Sequence, residues 1–264
     1  MQNENPSVTI VTGASRGLGE AVARQLGTTG AAVALVSRSL DDLQRSAAAV
    51  KDCGGACLAL AADVSDPDAC RRAVEQTVRQ FGRLDSLVNN AGIVTPLEMV
   101  ERATPVQWRR NIEVNLLGPV YMTMAALAPL RTSRGRVINV SSGAAVHVIQ
   151  AASAYCASKA ALNQFTSVLA AEEPLVTTVA VRPGVVDTSM QALIRREGPE
   201  KMPAEQIAYY RNLKTDGRLE PPEVPARSIA WLALQAPHSL SGHFVSYDDP
   251  RIAGPAAALF QSSS

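Results

Sequence analysis

The chain of 264 residues is 47% hydrophobic, 4% aromatic and 19% charged, with a formal net charge of +1. The near-neutral charge gives no electrostatic basis for binding nucleic acid or an anionic membrane, and the shortage of aromatic side chains disfavours base-stacking surfaces. The four cysteines form no CxxC pair and the three histidines lie far apart, so we expect no metal site. The polar first residues and the lack of a long apolar run predict a soluble, cytoplasmic protein with reduced thiols.

Apolar, β-branched runs alternate with helical segments over the first 181 residues. The predicted strands cover residues 8–12, 31–37, 56–62, 84–89, 136–141 and 176–181, and the helices between them cover 17–28, 40–53, 67–81, 105–130 and 153–171. After residue 184, about 35 residues predict one or two short helices, followed by a helix at 225–235 and a strand at 243–247. Because parallel strands need crossovers, the pattern predicts an α/β fold: a single-domain, Rossmann-type, doubly wound parallel sheet with helices on both faces.

A glycine-rich turn connects the first predicted strand to the first predicted helix. Backbone N–H groups at a helix N-terminus bind phosphate, and glycines let a pyrophosphate approach the backbone. The spacing is GxxxGxG rather than the general GxGxxG, and such a turn also arises where a helix packs tightly on a strand. Its place directly after a first strand favours nucleotide binding. The expected cofactor contacts are Gly13, Ser15, Arg16, Gly17, Leu18 and Gly19.

The end of the second predicted strand indicates which nucleotide is bound. Proteins that bind NAD place an acid there, about 20 residues beyond the glycine turn, to hold the ribose 2′-hydroxyl. Here Ser37 is followed by Arg38, so no carboxylate repels a 2′-phosphate and a guanidinium is available to bind it. Arg16 offers a second cation. The pattern favours NADP(H) as the cofactor, and the alternative is that both arginines are ordinary surface residues.

Tyr155 and Lys159 lie four residues apart at the start of the helix after the fifth strand, so their side chains share one helical face. A free tyrosine has a pKa of about 10, which is too high for acid–base catalysis at neutral pH, and a nearby ammonium group lowers it. The pair points to a tyrosine activated by a lysine, although such a pair also arises by chance.

The sequence resembles the short-chain dehydrogenase/reductase family over nearly the whole chain, and these motifs occur along it in the order typical of that family. Ser142 stands 13 residues before Tyr155, the usual family spacing, and is preferred over Ser141, which we expect to bond locally. The resemblance adds cofactor contacts at Asp63, Val64, Asn89, Ala91, Gly92, Tyr155, Lys159, Pro183, Gly184, Val186 and Thr188. It implies one domain over residues 1–264, with a nucleotide-binding part at about 7–142 and a catalytic and substrate-loop part at about 143–250.

The resemblance also implies four catalytic roles. Tyr155 would be the general acid in reduction and the base in oxidation, and Lys159 would bind the nicotinamide ribose and lower the tyrosine's pKa. Ser142 would hydrogen-bond the substrate oxygen. Asn115 would hold a water that relays protons to Lys159, whereas the residues alone favour a polar side chain that satisfies backbone groups at a helix bend.

The C-terminal part resembles a narrower group, the fungal carbonyl reductases that reduce benzil and related diketones, and more distantly the sepiapterin reductases. The expected substrate pocket is Val94, Thr95, Leu97, Ala145, Val146, His147, Val185, Met190, Leu193 and Ile194, although His147 could equally lie on a surface loop. Nearly all these side chains are apolar and none is a fixed cation, and we expect Arg195 and Arg196 to be solvated. An uncharged hydrophobic ketone or a vicinal diketone is therefore the expected substrate.

The leading interpretation is an NADP(H)-dependent carbonyl reductase or alcohol dehydrogenase acting on a small molecule. A non-catalytic NADP-binding regulator is the alternative from another class, and it is disfavoured because the serine, tyrosine, lysine and asparagine are all present. Reduction of a pteridine or a polyketide is an alternative within the same chemistry. The family resemblance also implies a homodimer or a homotetramer.

Overall fold

The computed structural model describes residues 6–261, so the predictions made for residues 1–5 and 262–264 lie outside the described part. One sheet of seven parallel strands has the order β3-β2-β1-β4-β5-β6-β7, which confirms the predicted doubly wound α/β fold. The strand order reverses between β1 and β4, the point where such sheets form a ligand-binding crevice. The strands are β1 (Val8–Thr12), β2 (Ala32–Ser37), β3 (Ala56–Ala61), β4 (Ser86–Asn89), β5 (Arg136–Val140), β6 (Thr177–Arg182) and β7 (Phe244–Ser246).

The helices follow the predicted alternation with two differences. The long predicted helix at 105–130 is interrupted by a π-helical segment, Glu113–Leu117, and a C-terminal helix that the sequence analysis did not predict follows β7. No helix in the described part of the chain is long and apolar enough to cross a membrane. The helices are α1 (Gly17–Gly27), α2 (Leu40–Asp52), α3 (Pro67–Phe81), α4 (Pro105–Ile112), α5 (Gly118–Ser133), α6 (Ser153–Glu172), α7 (Ser189–Glu197), α8 (Ala204–Thr215), α9 (Glu223–Gln235) and α10 (Pro250–Gln261).

Side chains of the central strands alternate between two hydrophobic clusters, one on each face of the sheet. Val33 and Leu35 of β2 pack on the face covered by α1, α9 and α10, whereas Ala34 and Val36 pack on the face covered by α3 and α5. This alternation follows from the two-residue period of a strand. Because both faces are buried, β2 reads as a continuous apolar run, as expected for a parallel sheet.

The glycine turn after β1 packs directly on the loop after β4. A Cβ atom on Gly19 would lie 2.3 Å from the carbonyl oxygen of Gly13 and 2.4 Å from Nδ2 of Asn90. Asn90 Nδ2 donates hydrogen bonds to the carbonyl oxygens of Thr12 and Gly13 at 2.9 Å and 3.2 Å. Glycine is therefore required at position 19 because the neighbouring atoms are mostly backbone and cannot move aside.

We expect Gly19→Ala to lower the free energy of unfolding by about 1–3 kcal/mol, the usual cost of overpacking. Chemical denaturation monitored by circular dichroism measures this loss. Gln25→Ala, a partly exposed substitution on the same helix, is the matched control and should change stability by less than about 0.5 kcal/mol. Equal stabilities for the two variants would show that the turn relaxes around the added methyl group.

Candidate active site

A cavity of about 1200 Å³ lies at the carboxyl-terminal ends of the parallel strands. Ligands of open α/β sheets bind at this edge, outside the ends of the strands. Every residue predicted to contact the cofactor lies on the cavity wall except Asn89. Ser142, Tyr155 and Lys159 lie on the same wall, whereas Asn115, the fourth catalytic candidate, does not. The structure therefore brings the glycine turn and three of the four candidates into one site.

Asn89 is the correction to the predicted cofactor contacts. Its side chain is 2% exposed and lies within the sheet, where Nδ2 donates to Oδ1 of Asn139 at 2.9 Å. Successive strand residues face opposite sides, so the direction of Asn89 follows from its place as the last residue of β4. The next residue, Asn90, lines the cavity instead and was missed by the sequence analysis.

The start of α1 fits the phosphate groups of a dinucleotide. Arg16 is the residue before the helix, and no side chain of residues 6–261 caps the helix N-terminus there. Its first N–H groups remain available to an anion, and the helix dipole favours negative charge at this end. The close packing of Gly13 and Gly19 leaves bare backbone facing the cavity, which suits the close approach of a pyrophosphate.

The cavity wall beyond β2 carries two cations and one anion. Arg16 and Arg38 are exposed, and neither forms an ion pair with another residue in the described part of the chain. The sequence analysis expected no carboxylate here, but Asp42, one turn into α2, also lies on the wall. A hydrogen bond from Ser39 and another from Arg45 lower the pKa of Asp42, so this carboxylate is ionised and paired with Arg45.

Asp63 follows β3, and the side chains of Ser65 and Arg110 hold its carboxylate in place. Its carboxylate accepts hydrogen bonds from the Ser65 hydroxyl at 2.8 Å and from Nη2 of Arg110 at 2.8 Å. Partial burial raises the pKa of Asp63, but the hydrogen bonds from the Ser65 backbone and from Arg110 outweigh it and lower the pKa. Arg110 of α4 also lies on the cavity wall and was not predicted.

Tyr155 lies in the first turn of α6 and is 9% exposed. Burial raises the pKa of Tyr155, and a hydrogen bond with the Ser142 hydroxyl opposes that rise only in part. This direction is a correction, because the resemblance led us to expect a lowered pKa. Ser142 is held by a second contact, in which its Oγ accepts from the Ala144 N–H at 3.1 Å. The local hydrogen bond that we expected for Ser141 is not observed. Its Oγ is buried and has no hydrogen-bond partner within residues 6–261.

Lys159 is buried beside the tyrosine, with 4% of its surface exposed. Nζ donates to the carbonyl oxygen of Val140 at 2.8 Å and lies 5.8 Å from the centroid of the Tyr155 ring. Burial lowers the pKa of Lys159 from 10.5 to about 8. The lysine is therefore joined to the end of β5 by the hydrogen bond to Val140, and the ring of Tyr155 lies beneath its ammonium group.

Asn115 lies in the π-helical segment, where single wide turns often mark functional sites. Its side-chain amide accepts from the N–H of Ile93 and donates to the carbonyl oxygen of Ile93, both at 2.8 Å. Nδ2 also contacts Asn111 and the hydroxyl of Ser158. The side chain thus satisfies the backbone groups of Ile93 rather than those of the interrupted helix, and it fixes the loop after β4.

The loop after β4 is held a second time from α4. Asn111 Nδ2 donates to the carbonyl oxygens of Thr95 at 2.7 Å and Ile93 at 3.3 Å. Asn111 is fully buried and directly follows Arg110. Consecutive residues of one helix therefore contact the loops after β3 and after β4.

The ten predicted pocket residues divide into two groups. Those on the cavity wall are Val94, Thr95, His147, Val185, Met190 and Ile194. Those that do not line it are Leu97, Ala145, Val146 and Leu193. Leu97 is 2% exposed and packs in the core, whereas Val146 is 60% exposed on the surface of the loop. Sequence position alone could not separate these cases, because the direction of each side chain depends on how its loop or helix packs on the rest of the protein.

The segment after β6 makes the wall more polar than predicted. The cavity is also lined by Gln191, Met202, Gln206, Tyr209, Tyr210 and Arg218, which the sequence analysis did not place there. Arg218 is paired with Asp216 at 2.9 Å. Arg196 is exposed as predicted, but Arg195 is half-buried, and its Nη1 has no hydrogen-bond partner within residues 6–261. Arg195 does not reach the cavity wall.

The buried lysine predicts a pH dependence of stability. The pKa of Lys159 is about 8 in the folded protein and 10.5 ordinarily, so between these values the unfolded chain binds more protons and stability rises with pH. We expect the unfolding free energy of the nucleotide-free protein, relative to Lys159→Met, to rise by about 2 kcal/mol from about pH 7 to about pH 10. Urea denaturation of both proteins measures the difference, and a difference that does not change with pH would contradict the burial argument.

Comparisons with known proteins agree with the fold and with the motif order. A family model described as short chain dehydrogenase matches residues 7–198. An uncharacterised oxidoreductase of Schizosaccharomyces pombe is 37% identical over 242 residues, which is 91% of this chain and 96% of that protein. A benzil reductase of Saccharomyces cerevisiae that forms (S)-benzoin is 35% identical over 263 residues, covering 94% of this chain and 98% of that protein.

A solved structure supports the same assignment. The crystal structure of a short-chain dehydrogenase/reductase of Saccharomyces cerevisiae is 35% identical, has a TM-score of 0.90, and covers 94% of this chain and 98% of that chain. The resemblance inferred from the motifs is confirmed by these matches. This chain therefore belongs to the short-chain dehydrogenase/reductase family, whose members are oxidoreductases that use nicotinamide cofactors.

Proposed function

We propose that this protein is an NADP(H)-dependent carbonyl reductase or alcohol dehydrogenase that acts on an uncharged hydrophobic ketone or a vicinal diketone. One observation carries the proposal: Ser142, Tyr155 and Lys159 lie on the wall of the cavity that also contains the glycine turn. The similarity to a benzil reductase supports the choice of a diketone.

The residues on the cavity wall fit an extended dinucleotide. The N-terminus of α1 would hold the pyrophosphate, Asp63 and Val64 would contact the adenine, and the segment from Pro183 to Thr188 would cover the nicotinamide. Arg16 and Arg38 would bind the 2′-phosphate, and the pairing of Asp42 with Arg45 reduces its repulsion of that group. When bound, the nicotinamide supplies the hydride in reduction and accepts it in oxidation.

The protein's own groups handle the substrate oxygen and the proton. In reduction, the carbonyl oxygen accepts hydrogen bonds from Ser142 and Tyr155, and Tyr155 gives its proton to that oxygen as the negative charge develops. The tyrosine suits this step because burial raises its pKa and keeps the phenol protonated at neutral pH. The ammonium of Lys159 stabilises the phenolate that remains, and a relay beside Asn115 would return the proton.

The surroundings of Tyr155 favour an uncharged substrate. Its ring belongs to a hydrophobic cluster with Val94, Ile194 and Met202, and these three side chains also line the cavity. A carboxylate entering this region would lose its hydration without a new partner, at a cost of several kcal/mol. An aliphatic or aromatic ketone instead gains from burying apolar surface there.

We expect Tyr155→Phe to lower kcat for ketone reduction by about 10²-fold or more, because the ring stays but the proton donor is lost. Nucleotide binding, measured by quenching of protein fluorescence, should change little. Tyr121→Phe alters a partly buried tyrosine of α5 that does not line the cavity, and it serves as the matched control with normal turnover. Near-normal turnover of Tyr155→Phe would refute the assignment of the acid.

Replacement of Arg38 tests the choice of nucleotide. A charge-assisted contact with a 2′-phosphate contributes about 1.5–3 kcal/mol, so Arg38→Ala should raise KM for NADPH by about 10- to 100-fold. KM for NADH should stay nearly constant, because that nucleotide lacks the phosphate. The control is Arg24→Ala, an exposed arginine of α1 away from the cavity. A wild-type protein that used NADH as well as NADPH would rule out this specificity.

A further inference from the structure

Tyr210 is a buried tyrosine on the cavity wall that the reaction described above does not use. It lies on α8, its side chain is 7% exposed, and it lines the same cavity as Tyr155. Its hydroxyl has no hydrogen-bond partner among residues 6–261. The hydroxyl is not one of the buried atoms that lack a partner, so it is accessible, and its place on the cavity wall leaves it free to bond a ligand.

The phenol of Tyr210 lies within electrostatic reach of the catalytic tyrosine. Burial, with smaller contributions from the nearby ionisable groups of Tyr209, Tyr155 and Cys156, raises the pKa of Tyr210 to about 12. Tyr210 and Tyr155 also belong to one hydrophobic cluster, so both rings lie in the same apolar surroundings. Tyr210 therefore stays protonated at neutral and alkaline pH, and it offers a hydrogen-bond donor beside the reaction centre.

The ring of Tyr210 is held in position by its neighbours. Tyr209 contacts it edge to face, with 5.4 Å between ring centroids and 67° between ring planes. Met202 and Ile207 belong to the same cluster and pack around it. A donor fixed in this way loses little conformational entropy when a ligand binds, so its hydrogen bond contributes fully to affinity.

We propose that Tyr210 is a specificity-determining residue whose hydroxyl donates a hydrogen bond to an oxygen on the carbon next to the reacting carbonyl. The proposal rests on the proposed ketone reduction and deepens it. Ser142 and Tyr155 reach the reacting oxygen from the side of β5 and α6, whereas Tyr210 enters from α8, so the site binds two adjacent oxygens from two sides. Vicinal diketones meet both donors, and a simple ketone leaves Tyr210 unpaired.

Gln191 is the other polar group of the substrate loop with a free atom on this wall. Its Oε1 is buried and has no hydrogen-bond partner in the described part of the chain. An oxygen accepts hydrogen bonds and cannot donate one to a carbonyl. The Nε2 group of Gln191 is the competing donor on this wall, and the effect of Tyr210→Phe on the two ketones distinguishes it from Tyr210.

The test compares benzil with deoxybenzoin, which has the same two rings but only one carbonyl group. We expect Tyr210→Phe to raise KM for benzil by about 3- to 10-fold, the loss of one neutral hydrogen bond. The second oxygen is bound in both the ground state and the transition state, so kcat should change by less than about twofold. Both constants for deoxybenzoin should stay the same, and Tyr121→Phe should leave all four constants unchanged.

The possible outcomes separate this inference from the proposed function. The wild type reduces both ketones if the proposed function is correct. If Tyr210→Phe then changes KM equally for both ketones, or changes neither, the role of Tyr210 is overturned and the proposed ketone reductase stands. A wild-type protein that reduces neither ketone with NADPH overturns both proposals. Should Tyr210→Phe fail to fold, the wild type decides alone: the inference requires a lower KM for benzil than for deoxybenzoin, and equal values contradict it.

Discussion

The geometry of the site depends on how closely two pieces of backbone approach each other at the centre of the sheet. A Cβ atom on Gly13 would lie only 2.8 Å from the Cα atom of Ala91, and Asn90 joins the two loops through the carbonyl oxygens of Thr12 and Gly13. This contact bridges β1 and β4, where the strand order reverses. It therefore sets the spacing between the half of the sheet that carries the glycine turn and the half that carries Ser142 and Tyr155.

Burial acts in opposite directions on the two ionisable side chains of the catalytic helix. It raises the pKa of Tyr155 and lowers that of Lys159 to about 8, because the charged form of each group loses its hydration. The lowered pKa that we expected for Tyr155 is contradicted, since desolvation is the largest influence on it. A tyrosine that stays protonated at neutral pH suits proton donation in the proposed reduction.

The sequence predicted those features that depend on short-range order along single elements. The parallel sheet followed from alternating periodicities, and the shared face of Tyr155 and Lys159 followed from four-residue spacing on one helix. Side chains that enter the cavity from remote elements were missed, among them Arg110 on α4 and Tyr210 on α8. Their direction depends on how each helix packs on the sheet, and no local pattern encodes that. The π-helical turn at Asn115 was likewise unpredictable, because one extra residue per turn leaves hydropathy unchanged.

Helix α4 contacts both ends of the cavity with consecutive residues. Arg110 binds Asp63 at the end proposed for the adenine, and Asn111 binds the carbonyl oxygen of Thr95 at the end proposed for the substrate. The placement of this one short helix therefore fixes the loop after β3 and the loop after β4 together, so a substitution that tilts α4 should shift both ends of the cavity at once.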